Sequence, residues 1–388
     1  MSPATSPACA AARAAEYPHL AGIYLNAASY GPLPARCLEA SHRYDERRAA
    51  ATLTLPDDFG DVLHRARSAC ARLVGAGPAE ITLTPNTSVG LNIAAALVAA
   101  NARDGRRTVV VPDREFPANV YPWKALDRAG TLQLDIIPVD GEGCPDLDAI
   151  CARVAAGDVV ALSISAVQFA TGFRADLARL GRTCREHGAL FIVDGIQAVG
   201  AVPVDVKGAG VDVLACGGQK WLCSPYGTGF AYIREGLLRA HEPALPGWLS
   251  FHATADFTGL LSYEWDLWED GRRFEVGSHA NQAFLGMAHS LELILEIGVD
   301  TVFEHVRALQ EPIRAWARRT GARIVGAHAP EHASCILPVV VANAAALHAT
   351  LAAHGVACVQ REGAVRFSPH FYNTMAEMER VADILARA

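Results

Sequence analysis

Short apolar runs alternate with amphipathic stretches between about residues 79 and 233. The apolar runs predict buried strands at residues 108–112, 132–138, 158–165, 189–194, 211–216 and 227–233. The intervening stretches have the spacing of amphipathic helices, most clearly at residues 88–100 and 176–187. Strands that alternate with helices in this way indicate a largely parallel sheet with helices on both faces. Such a sheet binds its ligands beyond the carboxyl ends of its strands.

The pattern changes after about residue 281. Two long helical patterns are followed by short strands and a final helix, at residues 282–297, 302–320, 336–341, 364–367 and from Met375 onward. This order predicts a smaller α+β domain. Residues 241–273 are rich in Pro, Gly, Trp and acidic side chains, and we expect them to be irregular.

These patterns divide the chain into three parts. We expect an N-terminal arm over residues 1–20, a large ligand-binding domain over 21–270 and a small C-terminal domain over 271–388. The N-terminal segment of the large domain is expected to contribute to the small one. A chain of 388 residues is long enough for two such domains.

The composition narrows the functional class. Hydrophobic residues make up 51% and charged residues 19%, which is typical of a soluble globular protein. The net charge of −7 gives no sign of a nucleic-acid footprint. The first twenty residues lack the pattern of a secretory signal, and no run reaches the roughly 20 apolar residues of a membrane span. We therefore expect a cytoplasmic protein with neither nucleic acid nor membrane as partner.

The ten cysteines are scattered and form no Cys-x-x-Cys pair, so we expect reduced thiols. His328, His332 and Cys335 are close enough in sequence to suggest a metal site. They lie in a Pro-containing stretch without a second ligand cluster, and we expect no metal there.

Lys220 is the first candidate for chemistry. It follows the predicted strand at 211–216 and two glycines, so it is placed at the ligand edge of the sheet. Alone this is a weak signal, because most lysines are ordinary surface residues.

Asp194 ends the apolar strand Ala-Leu-Phe-Ile-Val-Asp and needs a partner, since burying an unpaired charge is costly. A helix N-cap is one explanation for Asp194. The other is the protonated ring nitrogen of pyridoxal phosphate (PLP), with Gln197 near the phenolic oxygen of the ring.

A third signal is the polar turn of residues 83–92, Leu-Thr-Pro-Asn-Thr-Ser-Val-Gly-Leu-Asn, which opens an apolar helix. Thr87 and Ser88 are placed at the helix start, where free backbone N–H groups and the helix dipole favour phosphate. A plain Ser/Thr N-cap explains the same residues.

In this order, the turn at Thr87, Asp194 and Lys220 together resemble the class V aminotransferase group of fold-type I PLP-dependent enzymes. That group includes cysteine desulfurases, selenocysteine lyases and isopenicillin N epimerase-like proteins. The resemblance extends from Tyr24 almost to the C-terminus, through residues 24–34, 115–123, 194–197, 273–278 and 365–374. It implies an α/β fold with a large domain, built on a mostly parallel seven-stranded sheet flanked by helices, and a smaller α+β C-terminal domain.

The resemblance also implies roles around the cofactor. Lys220 carries PLP as a Schiff base. Phe116, or Pro117 if the register differs by one, stacks on the ring but cannot relay a proton as the histidine of the desulfurases does. Gln168 takes the place of an asparagine near the ring oxygen, and Gln197 completes an Asp-x-x-Gln pair.

On the substrate side, the resemblance assigns Arg366 to the substrate carboxylate, which suits its planar fork. Tyr30 belongs to the early substrate-side segment. Ser278 lies in a segment that reaches into a neighbouring subunit's site, so the resemblance implies a homodimer.

Two departures from the group concern the phosphate. Gln219 occupies the position of a histidine that commonly precedes the Schiff-base lysine, and Gly217 that of a phosphate-contacting serine. We therefore expect Thr87, Ser88 and a neighbour's Ser278 to carry more of the phosphate binding, with Gln219 beside the cofactor.

A third departure concerns Cys358. A cysteine desulfurase needs a nucleophilic thiolate on a flexible segment upstream of the carboxylate-binding arginine. The interval from Cys358 to Arg366 is short and contains a predicted strand and a tight Glu-Gly turn. A buried structural thiol is therefore favoured over a reactive one.

The sequence thus predicts a PLP-dependent enzyme that acts at the α-carbon of a small amino acid, with transamination as the favoured reaction. A desulfurase-like or other C–S or C–Se lyase and an amino-acid epimerase remain alternatives. A non-catalytic PLP-binding regulator is disfavoured, because Lys220, Asp194 and Arg366 are all present.

Overall fold

The structure, a computed structural model, describes residues 6–54, 60–103, 105–255, 260–326 and 329–387. Its strands are β1 Ile23–Tyr24, β2 Ile81–Leu83, β3 Thr108–Pro112, β4 Gln133–Ile137, β5 Val159–Ser165, β6 Leu190–Asp194, β7 Val213–Gly217, β8 Gly229–Ile233, β9 Arg323–Ile324, β10 Leu337–Val340, β11 Val356–Ala357, β12 Val359–Arg361 and β13 Ala364–Phe367. Its helices are α1 Pro7–Glu16, α2 Ala35–Ala49, α3 Asp61–Val74, α4 Thr87–Asn101, α5 Tyr121–Arg128, α6 Leu147–Val154, α7 Leu177–Glu186, α8 Glu235–Ala240, α9 Asn281–Ile297, α10 Val299–Leu309, α11 Glu311–Thr320, α12 Ala344–Ala353 and α13 Met375–Arg387.

The large sheet has the seven strands that the family resemblance implies, in the order β2-β8-β7-β6-β5-β3-β4. β8 runs antiparallel to both of its neighbours, β7 and β2, whereas the pairs from β7 through to β4 are parallel. The carboxyl ends of β2, β3, β5, β6 and β7 therefore open on the same edge. This edge receives the polar segments that follow those strands.

The central strands are apolar because both of their faces are covered. Every residue of β3, β5 and β7 is buried, whereas the edge strand β4 leaves Ile136 45% exposed. α4 packs closely against β7 at Gly90, which has no side chain. A Cβ added to Gly90 would lie only 2.7 Å from the Cβ of Ala215 in β7. A glycine at this position brings the start of α4 close to the strand that leads to Lys220.

The chain connections reverse direction between β3 and β5. From β3 the chain moves outward to β4, and from β5 it moves the other way through β6 to β7. A crevice forms at such a switch point and is the usual ligand site of an open α/β sheet.

A second sheet, β12-β13-β10-β9, is antiparallel and has its own apolar core, which includes Leu337, Phe367 and Val381. The N-terminal segment joins this region, because β1 pairs in parallel with β11 and Asn26 bridges to Ser368. The segment that precedes the large sheet therefore contacts the C-terminal part of the chain. The exact domain boundaries stay a prediction.

One local prediction differs from the structure. The single helix predicted at 302–320 is two helices, α10 and α11, which meet at Gln310. Pro312, in the first turn of α11, has no N–H for the preceding turn and favours a new helix start. Within the predicted N-terminal arm, residues 7–16 form α1, which is fixed by the buried Cys9 and by a hydrogen bond from the Ser6 N–H to His305 Nδ1.

The stretch 241–273 is irregular in its described part, with short 3₁₀ helices at Trp248–Ser250, His252–Thr254, Leu260–Ser262 and Gly271–Phe274. None of the helices in the described ranges has the length and apolarity that a membrane crossing requires.

Candidate active site

Lys220 and Asp194 come to the same edge from neighbouring strands. Asp194 ends β6 and pairs in register with Ala215 of β7, and Lys220 follows β7 by three residues. The loop that carries Lys220 is held by a hydrogen bond from the Gly31 N–H to the Gln219 carbonyl, 2.8 Å. Gly31 is tightly packed, since a Cβ there would lie 2.3 Å from the Lys220 carbonyl oxygen. The segment before α2 thus positions the lysine.

The carboxylate of Asp194 is 1% exposed and accepts one hydrogen bond, from the Ile196 N–H at 3.0 Å. The residues that follow form turns rather than a helix, so the N-cap alternative does not apply. Burial raises the pKa of Asp194 to about 6, although the backbone hydrogen bond and Lys220 act in the opposite direction. A buried carboxylate at a ligand edge is suited to a cationic partner on the ligand.

Lys220 is also shifted toward its neutral form. Burial lowers its pKa to about 8; the negative charge of Asp194 opposes this shift, while Arg366 and Arg361 add to it. An amine with this pKa is partly neutral near physiological pH, which is the form that reacts with an aldehyde and accepts a proton.

The predicted phosphate side is assembled at the start of α4. The N-cap is Asn86, whose Oδ1 accepts from the Val89 N–H at 3.0 Å, so Thr87 is not used as the cap. The hydroxyl of Thr87 is buried and has no hydrogen-bond partner. Ser88, one residue further, is exposed.

Gln219 lies beside this hydroxyl. A Cβ added at Gly217 would stand 2.5 Å from Gln219 Oε1 and 3.1 Å from Thr87 Oγ1. The Gln219 carboxamide therefore fills the space that a side chain at position 217 would need. The two departures noted in the sequence, Gly217 and Gln219, are one steric arrangement.

The ring-side candidates Phe116 and Gln168 also meet at this edge. The Phe116 ring is 41% exposed, and its centroid is 5.4 Å from Lys220 Nζ. Phe116 therefore lies next to the lysine side chain, and its stacking on the cofactor ring stays a prediction. Gln168 is buried; its Oε1 accepts from the Thr171 hydroxyl, while its Nε2 has no partner.

Gln197 is already engaged with the protein. Its Nε2 donates to the Ala28 carbonyl at 3.0 Å, and its Oε1 accepts from Trp221 Nε1 at 2.8 Å. A primary amide has two N–H groups, so one donor is left for a ligand. Gln197 also anchors Trp221, the residue after the lysine.

Arg366 is 2% exposed and lies between the N-terminal segment and the loop after β5. Its Nη1 donates to the Phe169 carbonyl at 2.9 Å and its Nη2 to Ser29 Oγ at 3.0 Å, while its Nε is buried without a partner. Burial and, to a smaller extent, the positive charge of Arg361 lower the pKa of Arg366 to about 10. Tyr30 is 47% exposed beside Ser29, and its carbonyl accepts from the Tyr24 hydroxyl at 2.6 Å.

Ser278 is exposed, in the segment that follows the 3₁₀ helix Gly271–Phe274. The segment is anchored by buried Glu275, which pairs with Arg67 and with His279 and accepts from the Leu83 N–H at 3.0 Å. It therefore lies next to the strand that leads into the Thr87 turn.

Cys358 is 7% exposed, and burial raises the pKa of its thiol to about 12.

Of the three residues considered as a metal site, His332 stacks on Phe173 and Cys335 is buried, whereas His328 lies outside the described residues. Within the described ranges no group of three or more His, Cys, Asp or Glu could hold a metal ion.

Sequence reasoning missed Glu115, a buried carboxyl at the switch point. Its oxygens accept from the Ser165 N–H at 2.7 Å, from the Ser165 hydroxyl and from Asn119 Nδ2 at 3.1 Å. Burial raises the pKa of Glu115 to about 7, and Asp194 adds to that shift. Its position three residues after β3 is a signal that the sequence carries. Ser29 and Phe169 left no such signal, because they act through backbone or hydroxyl contacts across the fold.

The site has the donor set that PLP needs. An amine, a buried carboxylate, an unpaired hydroxyl at a helix start and an unpaired carboxamide N–H converge on one edge. The family model described as "Aminotransferase class-V" matches residues 23–381. The chain belongs to the class V aminotransferase family.

Individual relatives agree with this assignment. The chain is 30% identical to a Bacillus subtilis protein named "Uncharacterized aminotransferase YcbU", over 83% of this chain and 82% of that one. It is also 30% identical to a "Probable cysteine desulfurase" of Pyrococcus abyssi, over 82% and 81% of the two chains. Among solved structures, the Escherichia coli cysteine desulfurase CsdA matches with a TM-score of 0.82 at 22% identity, over 98% of each chain, which shows the fold alone.

Family membership confirms the fold-type I prediction and the prediction of a PLP-dependent enzyme. The assignment of individual residues to the cofactor stays a prediction; Thr87 and Gln168 have buried polar atoms without a partner, and Asp194 is a buried carboxylate.

Proposed function

We propose that this protein is an aminotransferase that acts at the α-carbon of a small amino acid. The observation that supports the proposal is the placement of Asp194 and Lys220 at the carboxyl edge of the large sheet. Arg366 of β13 contacts the Phe169 carbonyl at the same edge. When bound, PLP supplies a cationic ring that takes up the negative charge left when the α-carbon loses its proton.

In this proposal each residue has a defined task. Lys220 would hold the cofactor through its side-chain amine, and the same amine would accept the proton from the α-carbon of the substrate. Asp194 keeps the ring nitrogen protonated, and Phe116 and Gln168 orient the ring. Arg366 binds the α-carboxylate through its free N–H and so fixes which substrate bond faces Lys220.

The phosphate is assigned to Thr87, Ser88 and the Gln219 carboxamide. The buried, unpaired Thr87 hydroxyl supports this assignment, as does the start of α4 with its free backbone N–H groups. Gln197 contributes its remaining N–H to the ring oxygen.

A homodimer is part of the proposal, with Ser278 completing the partner's phosphate site. Its segment carries exposed apolar side chains such as Val276, and Leu261 and Tyr263 nearby in sequence are 80% and 83% exposed. Sedimentation at micromolar concentration checks this, and a fully active monomer would rule it out.

The chemistry of Cys358 separates transamination from persulfide-forming desulfuration. A persulfide requires a thiolate, and a buried thiol with a pKa near 12 supplies almost none at neutral pH. Cys358 is also fixed beside β12, where its carbonyl accepts from His348 Nε2 at 3.1 Å. Both observations favour a reaction that needs no protein thiol.

A carbon–sulfur lyase is the second candidate, because several relatives at 28–30% identity are named cysteine desulfurases. Product analysis distinguishes the two. Transamination predicts release of a keto acid and loss of the visible PLP band in equal amounts, with amino donor alone. Sulfide release from cysteine that Cys358→Ala abolishes would overturn the proposal in favour of a desulfurase. Sulfide release that this variant retains would indicate a thiol-independent lyase.

Arg366→Gln is expected to raise KM for amino acids by about 10- to 100-fold, because a charge-assisted hydrogen-bonded pair is worth about 1.5–3 kcal/mol. kcat should change less, and the PLP spectrum should be unaltered. Steady-state kinetics with an amino acid and with the corresponding amine, which lacks the carboxylate, checks this. An equal loss for both substrates would mean that Arg366 acts only on the fold.

A further inference from the structure

Arg361 has no role in the site described so far, but the register of the small sheet places it next to Arg366. β12 pairs antiparallel with β13, with Val359 opposite Arg366 and Arg361 opposite Ala364. Residues directly opposite each other, and residues two apart on one strand, share a face of a sheet. Arg361 and Arg366 therefore project from the same face.

The turn between the two strands fixes this arrangement. It consists of Glu362 and Gly363, with φ angles of 47° and 78°. Positive φ at both central residues is typical of the tight two-residue hairpin that leaves no slack in register. Arg361 is thus held at the end of a short, rigid hairpin rather than on a long loop.

The electrostatics of the site agree with that placement. The positive charge of Arg361 lowers the pKa of Lys220 and that of Arg366. A charge acts on two groups in this way only when it is near both. Arg361 is exposed, whereas Arg366 is 2% exposed, so the two guanidinium groups lie at different depths on the approach to Lys220.

Arg366, the buried or inner arginine, and Arg361, the exposed or outer arginine, differ in their hydrogen-bond partners. Arg366 is held by the Phe169 carbonyl and Ser29 Oγ. No ion pair or hydrogen bond to a carboxylate is formed by Arg361 within the described ranges. A guanidinium without a carboxylate at the entrance of an amino-acid site is a receptor for a second anion on the substrate.

We propose that Arg361 binds an anionic group on the substrate side chain, so that the preferred substrate is an acidic α-amino acid. This inference rests on the proposed function, in which Arg366 holds the α-carboxylate and Lys220 faces the α-carbon. An α-carboxylate on the inner arginine directs the side chain outward. A second carboxylate on the side chain, or a sulfinate of similar shape, then contacts the guanidinium group of Arg361.

Binding of unreactive acids tests the inference apart from turnover. In the PLP-loaded protein, succinate and butyrate are titrated while the visible band of lysine-bound PLP is followed. Succinate is expected to bind about 5- to 30-fold more tightly than butyrate, the range for a charged hydrogen bond at a partly exposed position. Arg361→Gln should reduce this ratio to about one and leave butyrate binding unchanged. Arg380→Gln removes an exposed arginine on α13 and is the matched control.

Substrate pairs then identify the anion. L-aspartate against L-asparagine reports a carboxylate, and L-cysteine sulfinate against L-cysteine reports a sulfinate, with kcat/KM as the readout. Equal binding of succinate and butyrate by a protein with a normal PLP band would overturn this inference and leave the proposed function intact. A uniform loss for all ligands in Arg361→Gln would also overturn it, since Arg361 would then act only through the charge of Lys220. Absence of a PLP band in the unmodified protein would instead remove the proposed function.

Discussion

Lys220→Ala is expected to lose the visible band of lysine-bound PLP and to reduce kcat by at least about 10²- to 10⁴-fold. The range is that of a removed general base, and loss of the covalent link to the cofactor adds to it. The chain has three lysines, Lys124, Lys207 and Lys220, so only two other residues could form the imine with PLP. Lys124 is exposed, and Lys207 pairs with Glu80 at 2.9 Å.

Borohydride reduction of the PLP-loaded protein followed by peptide mapping gives a direct measurement. The reduced cofactor, now a stable pyridoxyl label on lysine, is expected on the peptide that contains Lys220. Lys124→Ala and Lys207→Ala are the matched controls. A label on either of those lysines would overturn the assignment. Lys220→Ala should still bind PLP without a covalent bond, through Thr87 and Asp194, with a changed absorption maximum.

The depressed pKa of Lys220 adds a pH dependence to this measurement. Only the neutral amine attacks the PLP aldehyde, so the rate at which the cofactor-free protein captures PLP should rise with pH through about 8 and then level off. Arg361→Gln removes a charge that lowers the pKa of Lys220, and should move this midpoint upward. A midpoint above 10 in the unmodified protein would mean that the lysine is an ordinary exposed one.

The sequence predicts best those strands whose residues are all buried, because burial alone then decides which residues are apolar. β3, β5 and β7 are buried along their whole length, so their apolar runs are unambiguous. Asp194, at the end of β6, and Lys220, three residues after β7, therefore lie at the edge of the sheet where the sequence places them. The break at Gln310 was missed because the apolar spacing continues through it, and Pro312 was the outweighed signal.

Two positions depend on tertiary contacts that the sequence alone does not show. Arg361 becomes relevant only through its register with Ala364, and a shift of one residue would turn it to the other face. Thr87 was ambiguous between a cap and a ligand, because both use a hydroxyl at a helix start. The structure separates the two: Asn86 caps the helix and the Thr87 hydroxyl remains without a partner.

Asp194→Asn is the substitution that tests the electronic role of the site. The change keeps the size of the side chain and the acceptor for the Ile196 N–H but removes the negative charge. kcat is expected to fall by about 10²- to 10³-fold or more, as when one preorganised electrostatic partner is removed. PLP should still attach to Lys220, and the pH midpoint of its capture should fall, because Asp194 raises the pKa of that lysine.

Stability separates this loss from misfolding. The pKa of Asp194 in the folded, cofactor-free protein is raised to about 6, so ionisation of the group disfavours the folded state at pH values above that. Asp194→Asn removes this cost, and the cofactor-free variant should therefore have a Tm at pH 8 that equals or exceeds that of the unmodified protein.

Asp212→Asn is the contrasting variant. Asp212 is a buried carboxyl at the opposite edge of the same strands, paired with Arg234 at 2.6 Å, so its loss should lower Tm and spare the PLP chemistry. If Asp194→Asn instead lowered Tm and retained most of kcat, Asp194 would be a structural residue and the charge that holds the ring cationic would have to come from elsewhere.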